Sequence, residues 1–157
     1  MMFTCSKTYS DIPFAHRQHN HDGHCRLIHG HNWEFTFTFA ARERDENGFV
    51  YDFGKLKWLK KYLEQYDHAL LLNSRDPKLE FLQKVLDGTF ARILVVSDAS
   101  SEGLAVSLFE SVTRMLENDD AKARGIRIHR VEVMEDSKNG ATYEEPFVQN
   151  RQSLLGV

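Results

Sequence analysis

The stretch Cys25–Phe39, CRLIHGHNWEFTFTF, constrains this chain more than any other. His29, His31, Trp33, Phe35, Phe37 and Phe39 fall on alternate positions, with Glu34, Thr36 and Thr38 between the aromatics. Successive side chains of a β-strand point to opposite faces, so the pattern predicts one strand with an aromatic face and a hydroxyl and acid face. The same parity puts both histidines at the mouth of the aromatic face. Gly30 between them lets the backbone bend or be approached closely. An H-x-H pair on a strand presents two imidazoles on one side, and zinc takes neutral imidazole nitrogen at about 2.0–2.1 Å. His16, at the end of the apolar stretch Ile12-Pro13-Phe14-Ala15, is the candidate third ligand. Three histidines leave the fourth tetrahedral position open, as catalytic zinc sites do. An isolated H-x-H reads as surface histidines; strand phase, glycine and upstream histidine together favour metal. His19, His21 and His24, in the polar segment RQHNHDGH, are rival ligands. Loop positions are poorly fixed for coordination, so that segment reads as a solvated loop over the site.

The 157 residues are 41% hydrophobic and 27% charged, enough for one core, and no repeat or linker divides residues 1–157. A formal charge of −3 gives no reason to expect nucleic acid or an anionic membrane as partner. No apolar run approaches the roughly 20 residues of a membrane span, and the first residues lack the apolar core of a signal peptide. Two cysteines, Cys5 and Cys25, make no disulfide framework, so a reducing cytoplasm is expected.

Phe3–His16 reads as a first strand and His29 to about Arg44 as a second, closed by the turn residues Asp45-Glu46-Asn47-Gly48. Phe53, Leu56, Leu59, Leu63 and Tyr66 recur at helical spacing after Asp52, predicting an amphipathic helix over Phe53–Tyr66. Asp76-Pro77 opens a short helix that stops at Gly88, and Phe90–Val96 reads as a short extra strand or an extended connection. Ser100-Ser101-Glu102 starts the best-specified helix, whose apolar face carries Leu104, Ala105, Leu108, Phe109, Val112, Met115 and Leu116. Ile126, Ile128, Val131 and Val133 change parity, which predicts a strand with a bulge near His129-Arg130. Asn139-Gly140 then turns the polypeptide into a return strand. The order ββααββ indicates an α+β fold: a four-stranded antiparallel sheet with helices on one face.

These motifs, in this order, resemble the 6-pyruvoyltetrahydropterin synthase / 6-carboxytetrahydropterin synthase family of the tunnelling fold. They are PFAHR with His16, CRLIHGH with Cys25, His29 and His31, and GFVYDFGKLK from Gly48 to Lys57. YDHALLLN with Asp67 and His68, SSEGLA with Ser101 and Glu102, and VEVMEDSKNGATY with Glu135 and Tyr143 complete the set. The three residues between Cys25 and His29 are similar to the bacterial 6-carboxytetrahydropterin synthases of queuosine biosynthesis. Two features depart from the pattern. Ala99-Ser100 stands where the family has Pro-Thr, and the link Ser74–Asp98 is longer than in compact bacterial members.

The resemblance implies a zinc enzyme acting on 7,8-dihydroneopterin triphosphate, a carbon–carbon lyase giving 6-carboxy-5,6,7,8-tetrahydropterin, triphosphate and acetaldehyde. The alternatives are a carbon–oxygen lyase stopping at the 6-pyruvoyl product, or a silent metal-binding assembly protein. Cys25 is implied as the catalytic base, and Asp67 with His68 as a second proton-transfer pair. Taken alone, Asp67-His68 reads as a histidine interacting with a helix C-terminus. Glu135 is implied as the carboxylate on the pterin's amino-pyrimidine edge, with Ser101 and Glu102 as further substrate contacts. A four-stranded sheet leaves open edges, which a closed barrel removes. The resemblance supplies that barrel as a ring of subunits, two rings making a homohexamer with active sites between subunits.

Overall fold

The computed structural model describes residues 1–117 and 120–145. Residues 118–119 and 146–157, which fall within the single domain expected over 1–157, lie outside the described residues. Six strands form one mixed sheet: β1 Phe3–His16, β2 His29–Ala41, β3 Ala69–Asn73, β4 Arg92–Val96, β5 Arg127–Met134 and β6 Gly140–Glu144. Their order across the sheet is β4-β3-β1-β2-β5-β6. β1, β2, β5 and β6 are successively antiparallel, as the two predicted hairpins require. The expected four-stranded antiparallel sheet is corrected to a mixed one, because β3 and β4 extend it in parallel. The reason lies in Ala69-Leu70-Leu71-Leu72, which has no alternation: all of β3 is buried, as a parallel strand covered on both faces is.

The helices are α1 Lys57–Leu63, α2 Leu79–Leu86, α3 Ser101–Leu116 and the single turn α4 Asp120–Ala123. α1 is shorter than its periodicity suggested. A 3-10 turn capped by the Asp52 side chain precedes it, and turns follow it before β3. α3 matches its reading closely, with the Ser100 hydroxyl accepting from the Gly103 N–H at its start. Met115 is the exception on its face, being only half-buried.

Trp33, Phe35, Phe37 and Phe39 are all fully buried, and α1, α3, β5, β1, β3 and the segments joining them supply the core around them. α2 contributes nothing to that core. On the other face of the hairpin, hydroxyls pair across the strands: Ser6 with Thr38 and Thr8 with Thr36, each at 2.8 Å.

Two register shifts tune this sheet. The predicted bulge in β5 lies at His129, between the pairs Thr38–Arg130 and Phe39–Ile128. A second, unforeseen one sits at Ser10-Asp11 in β1, between the pairs Tyr9–Phe35 and Ile12–Trp33. Asp11 there has φ of 59°, the left-handed region that aspartate enters more easily than most residues. The extra residue lets Tyr9 and the even-numbered Ile12, Phe14 and His16 all share the aromatic face. Without it, strict alternation would turn His16 to the opposite side. No helix among the described residues is long and apolar enough to cross a membrane.

Candidate metal centre

At the end of the β1–β2 ladder His16 stands directly opposite His29, and His31 lies two residues along the same face. Their ring centroids are 4.5 Å apart for His16–His29, 5.3 Å for His16–His31 and 5.1 Å for His29–His31. Trp33 closes the floor, edge-on to His16 at 5.0 Å and to His31 at 5.4 Å. The indole is itself held by its N–H, which donates to the Phe14 carbonyl.

Two backbone carbonyls set the tautomers. His16 Nδ1 lies 2.7 Å from the Ala99 carbonyl and His29 Nδ1 lies 2.8 Å from the Leu27 carbonyl. A carbonyl only accepts, so each Nδ1 carries the hydrogen and each Nε2 presents a lone pair. Those two Nε2 atoms face one another at 3.1 Å. Two lone pairs at that distance repel unless a cation lies between them. His31 Nε2 is buried without a hydrogen-bond partner. The ligand nitrogens of all three rings lie within 4.8 Å of one another. Bonds of about 2.0–2.1 Å in a tetrahedron put ligand atoms about 3.3 Å apart, so the donor set fits zinc. Burial pushes the His16 imidazole down to about 4, against the opposing pull of the Ala99 carbonyl, with His29 and His31 adding to the lowering. It is therefore neutral near pH 7, as a ligand must be.

The residues around the centre are placed unequally. Glu135 comes closest, its Oε1 4.0 Å from His16 Nε2. Burial raises its carboxyl above the ordinary range, opposed by His31 and His29 and reinforced by Glu102 and Asp136. Ala99, Ser100, Ser101 and Glu102 form one turn at the start of α3: carbonyl to His16, cap, buried hydroxyl and exposed acid. The Ser101 hydroxyl donates to Glu102 Oε2 at 3.1 Å. The contact from Ala99 uses its backbone, so alanine in place of proline leaves it intact. Cys25 is half-buried in a 3-10 turn, His24–Arg26, that ends just before Leu27. It stands outside the histidine group, as do His19, His21 and His24 among the described residues. His21 instead accepts from the Gly23 N–H through Nδ1.

Asp67 and His68 touch each other, with Asp67 Oδ1 2.8 Å from His68 Nδ1, and both are exposed. The His68 N–H donates to the Pro13 carbonyl at 2.7 Å, and Arg92 donates to the Asp67 carbonyl. Pro13 lies three residues before His16, about 10 Å along a strand. Within this chain the pair is therefore not part of the histidine centre. Sequence reasoning missed the Ala99 and Leu27 carbonyls, because backbone acceptors leave no mark on residue type.

The family model for 6-pyruvoyl tetrahydropterin synthase matches residues 4–146. The chain is 31% identical over 110 residues to a Rickettsia bellii protein named 6-carboxy-5,6,7,8-tetrahydropterin synthase, covering 68% of this chain and 78% of that one. Against the Rickettsia typhi protein of the same name it is 35% identical over 80 residues, 50% of this chain and 57% of that one. An uncharacterized Wolinella succinogenes protein superimposes with a TM-score of 0.77 at 19% identity, covering 93% of this chain and 99% of the other. A Plasmodium vivax 6-pyruvoyltetrahydropterin synthase gives a TM-score of 0.68 at 18% identity, covering 92% and 98%. At such identities these two establish likeness of fold.

Purified protein is expected to hold about one zinc per subunit, and His29→Ala or His31→Ala to lose most of it by elemental analysis. Full occupancy in those variants and in His16→Ala would refute the site. A second expectation concerns acid. The folded value of His16, about 4, lies below its ordinary 6.5, so the unfolded state binds more protons between the two. This contribution to stability is present above pH 6.5 and is lost as pH falls through 4. Urea midpoints of metal-free protein should fall across that window, and a flat profile would contradict a buried neutral His16.

Proposed function

Because the chain belongs to the 6-pyruvoyl tetrahydropterin synthase family, we propose that it is a zinc-dependent lyase converting 7,8-dihydroneopterin triphosphate to 6-carboxy-5,6,7,8-tetrahydropterin, with release of triphosphate and acetaldehyde. The observation that carries this reading is the meeting of His16 and His29 Nε2 atoms at 3.1 Å beside the unpartnered His31 Nε2. Zinc held by these three imidazoles would supply Lewis acidity toward the side-chain oxygens of the substrate. The names of the Rickettsia relatives favour the 6-carboxy product, and the Cys25–His29 spacing suits a place in queuosine biosynthesis. The alternative, the 6-pyruvoyl product, is favoured by the name of the family model and of solved structures such as the Plasmodium neighbour.

Each residue has a task that suits its setting. Glu135 anchors the amino-pyrimidine edge. Partial burial raises its carboxyl, and two N–H groups of a pterin would restore the charged form. Ser101 and Glu102 lie at the start of α3, where Glu102 acts on the Glu135 carboxyl, and complete the substrate contacts. Cys25 takes the carbon-bound proton next to the substrate's hydroxyls. Asp67 fixes the Nδ1–H tautomer of His68, leaving Nε2 free to pass a proton. Two free thiols suit a cytoplasmic protein. Mass spectrometry of the product from zinc-loaded protein distinguishes the two lyases. Cys25→Ala should keep zinc and fold while losing turnover by about two orders of magnitude or more. Near-wild-type activity would move the base elsewhere, to His68 first.

Assembly follows from the edges. Among the described residues, the outer side of β1 pairs with β3 only through Ala15 and His16, and β6 pairs with β5 alone. β1 and β6 run in opposite directions, so the open edge of one copy can continue the antiparallel sheet of the next. We infer a ring of three copies and a homohexamer of two rings, with no nucleic acid or membrane partner. The exposed Asp67–His68 pair then serves the centre of a neighbouring subunit. Sedimentation at micromolar concentration should find hexamers, and a fully active monomer would sink the shared site.

A further inference from the structure

The ion pair between Arg17 and Asp76 plays no part in the reaction described above. Arg17 directly follows the ligand His16, and its Nε lies 3.0 Å from Asp76 Oδ2. The Asp76 side chain is fully buried and that of Arg17 is 19% exposed. The contact is a charge pair rather than an aligned hydrogen bond, since neither atom has a partner in hydrogen-bond geometry. A buried carboxylate is costly unless an opposite charge stays beside it, so the guanidinium is held in place.

Asp76 is in turn fixed through its own backbone and carboxylate. Its Oδ1 accepts from the Lys78 N–H at 2.8 Å, its N–H donates to the Asn73 carbonyl at 2.9 Å, and its carbonyl accepts from Leu79 at 3.0 Å. These contacts make the turn between β3 and α2, where the segment 74–98 begins. On the other side, Arg17 begins the loop that leads to Cys25. The Gln18 N–H donates to the Cys25 carbonyl at 2.9 Å and closes that loop at its neck. The loop itself, RQHNHDGH, has no apolar residue to anchor it. Arg17 sits between the last ligand of β1 and the neck that carries the cysteine.

We propose that Asp76 is a positioning residue: through Arg17 it fixes the neck of the 17–25 loop and so holds Cys25 in register with the histidine centre. This rests on the reading of Cys25 as the base. A proton-transfer group must be held to within about 0.5 Å, and a polar loop without an apolar anchor does not by itself provide that. The turn that opens the segment 74–98 provides it here. A pair that served folding alone would, when lost, lower stability and leave Cys25 unchanged in every molecule that still folds.

Two variants separate these roles. Asp76→Asn keeps the acceptor for Lys78 and removes the charge. The double variant Arg17→Met/Asp76→Leu removes both partners and fills the space, which favours folding where a lone buried charge would not. Folded, zinc-loaded proteins are compared for zinc content, for the rate of Cys25 alkylation by iodoacetamide followed by peptide mapping, and for kcat and KM. The expected result is unchanged zinc, an altered Cys25 alkylation rate, and kcat lowered about 10- to 100-fold at nearly constant KM. Wild-type alkylation and kcat in either folded variant would overturn the inference. Failure of both variants to fold would assign the pair to folding alone and overturn it as well. Alkylation needs no substrate, so a wild-type protein that leaves the pterin untouched refutes the reaction while this comparison can still be read.

Discussion

Two carbonyls, those of Ala99 and Leu27, turn His16 and His29 so that their lone pairs meet at 3.1 Å. That arrangement is unfavourable in the bare protein, and only a rigid surround maintains it. The surround is the aromatic floor: Trp33 beneath the imidazoles, Phe14 stacked on Trp33 at 4.5 Å, and Phe35, Phe37 and Phe39 filling the sheet below. Burial does the rest by disfavouring the protonated form of His16. The site is thus poised for a cation by the same apolar packing that stabilises the fold.

The strands deliver the three rings to one face only because β1 carries an extra residue at Ser10-Asp11. A β-strand has a period of two, so one residue more or less exchanges its faces. The bulge lets an N-terminal half with odd residues inward join a C-terminal half with even residues inward. His16 meets His29 as a consequence, and the Asp11 carboxylate secures the bend by accepting from Asn32.

The residues proposed for the chemistry lie on elements of different rigidity. The ligands and Glu135 stand on or beside sheet strands, whereas Cys25 lies on a loop and Asp67–His68 on an exposed turn. Strand positions are fixed by cross-strand hydrogen bonds; loop positions need separate anchors. The Gln18–Cys25 and His68–Pro13 hydrogen bonds are among the contacts that tie these segments down, and the Arg17–Asp76 pair is the anchor proposed for the loop.

The sequence by itself determined the features that rest on local periodicity. These are the aromatic strand and its histidines, the α3 face, the β5 bulge at His129 and the closing hairpin, each recorded in residues two to four apart. It marked His16 as a candidate ligand by its place after an apolar stretch, without showing the bulge that brings it to the same face as His29 and His31. β3 was hidden because a strand buried on both sides has no alternation to read, and Leu70-Leu71-Leu72 looks the same in a buried helix. Only the tertiary structure decided the tautomers, since the carbonyls of Ala99 and Leu27 belong to the backbone and one comes from 83 residues away. The same holds for the burial of Asp76 against Arg17, a contact between residues that carry no joint signal along the sequence. Periodicity reports which side of an element is apolar; it does not report which distant backbone atom will meet a given nitrogen.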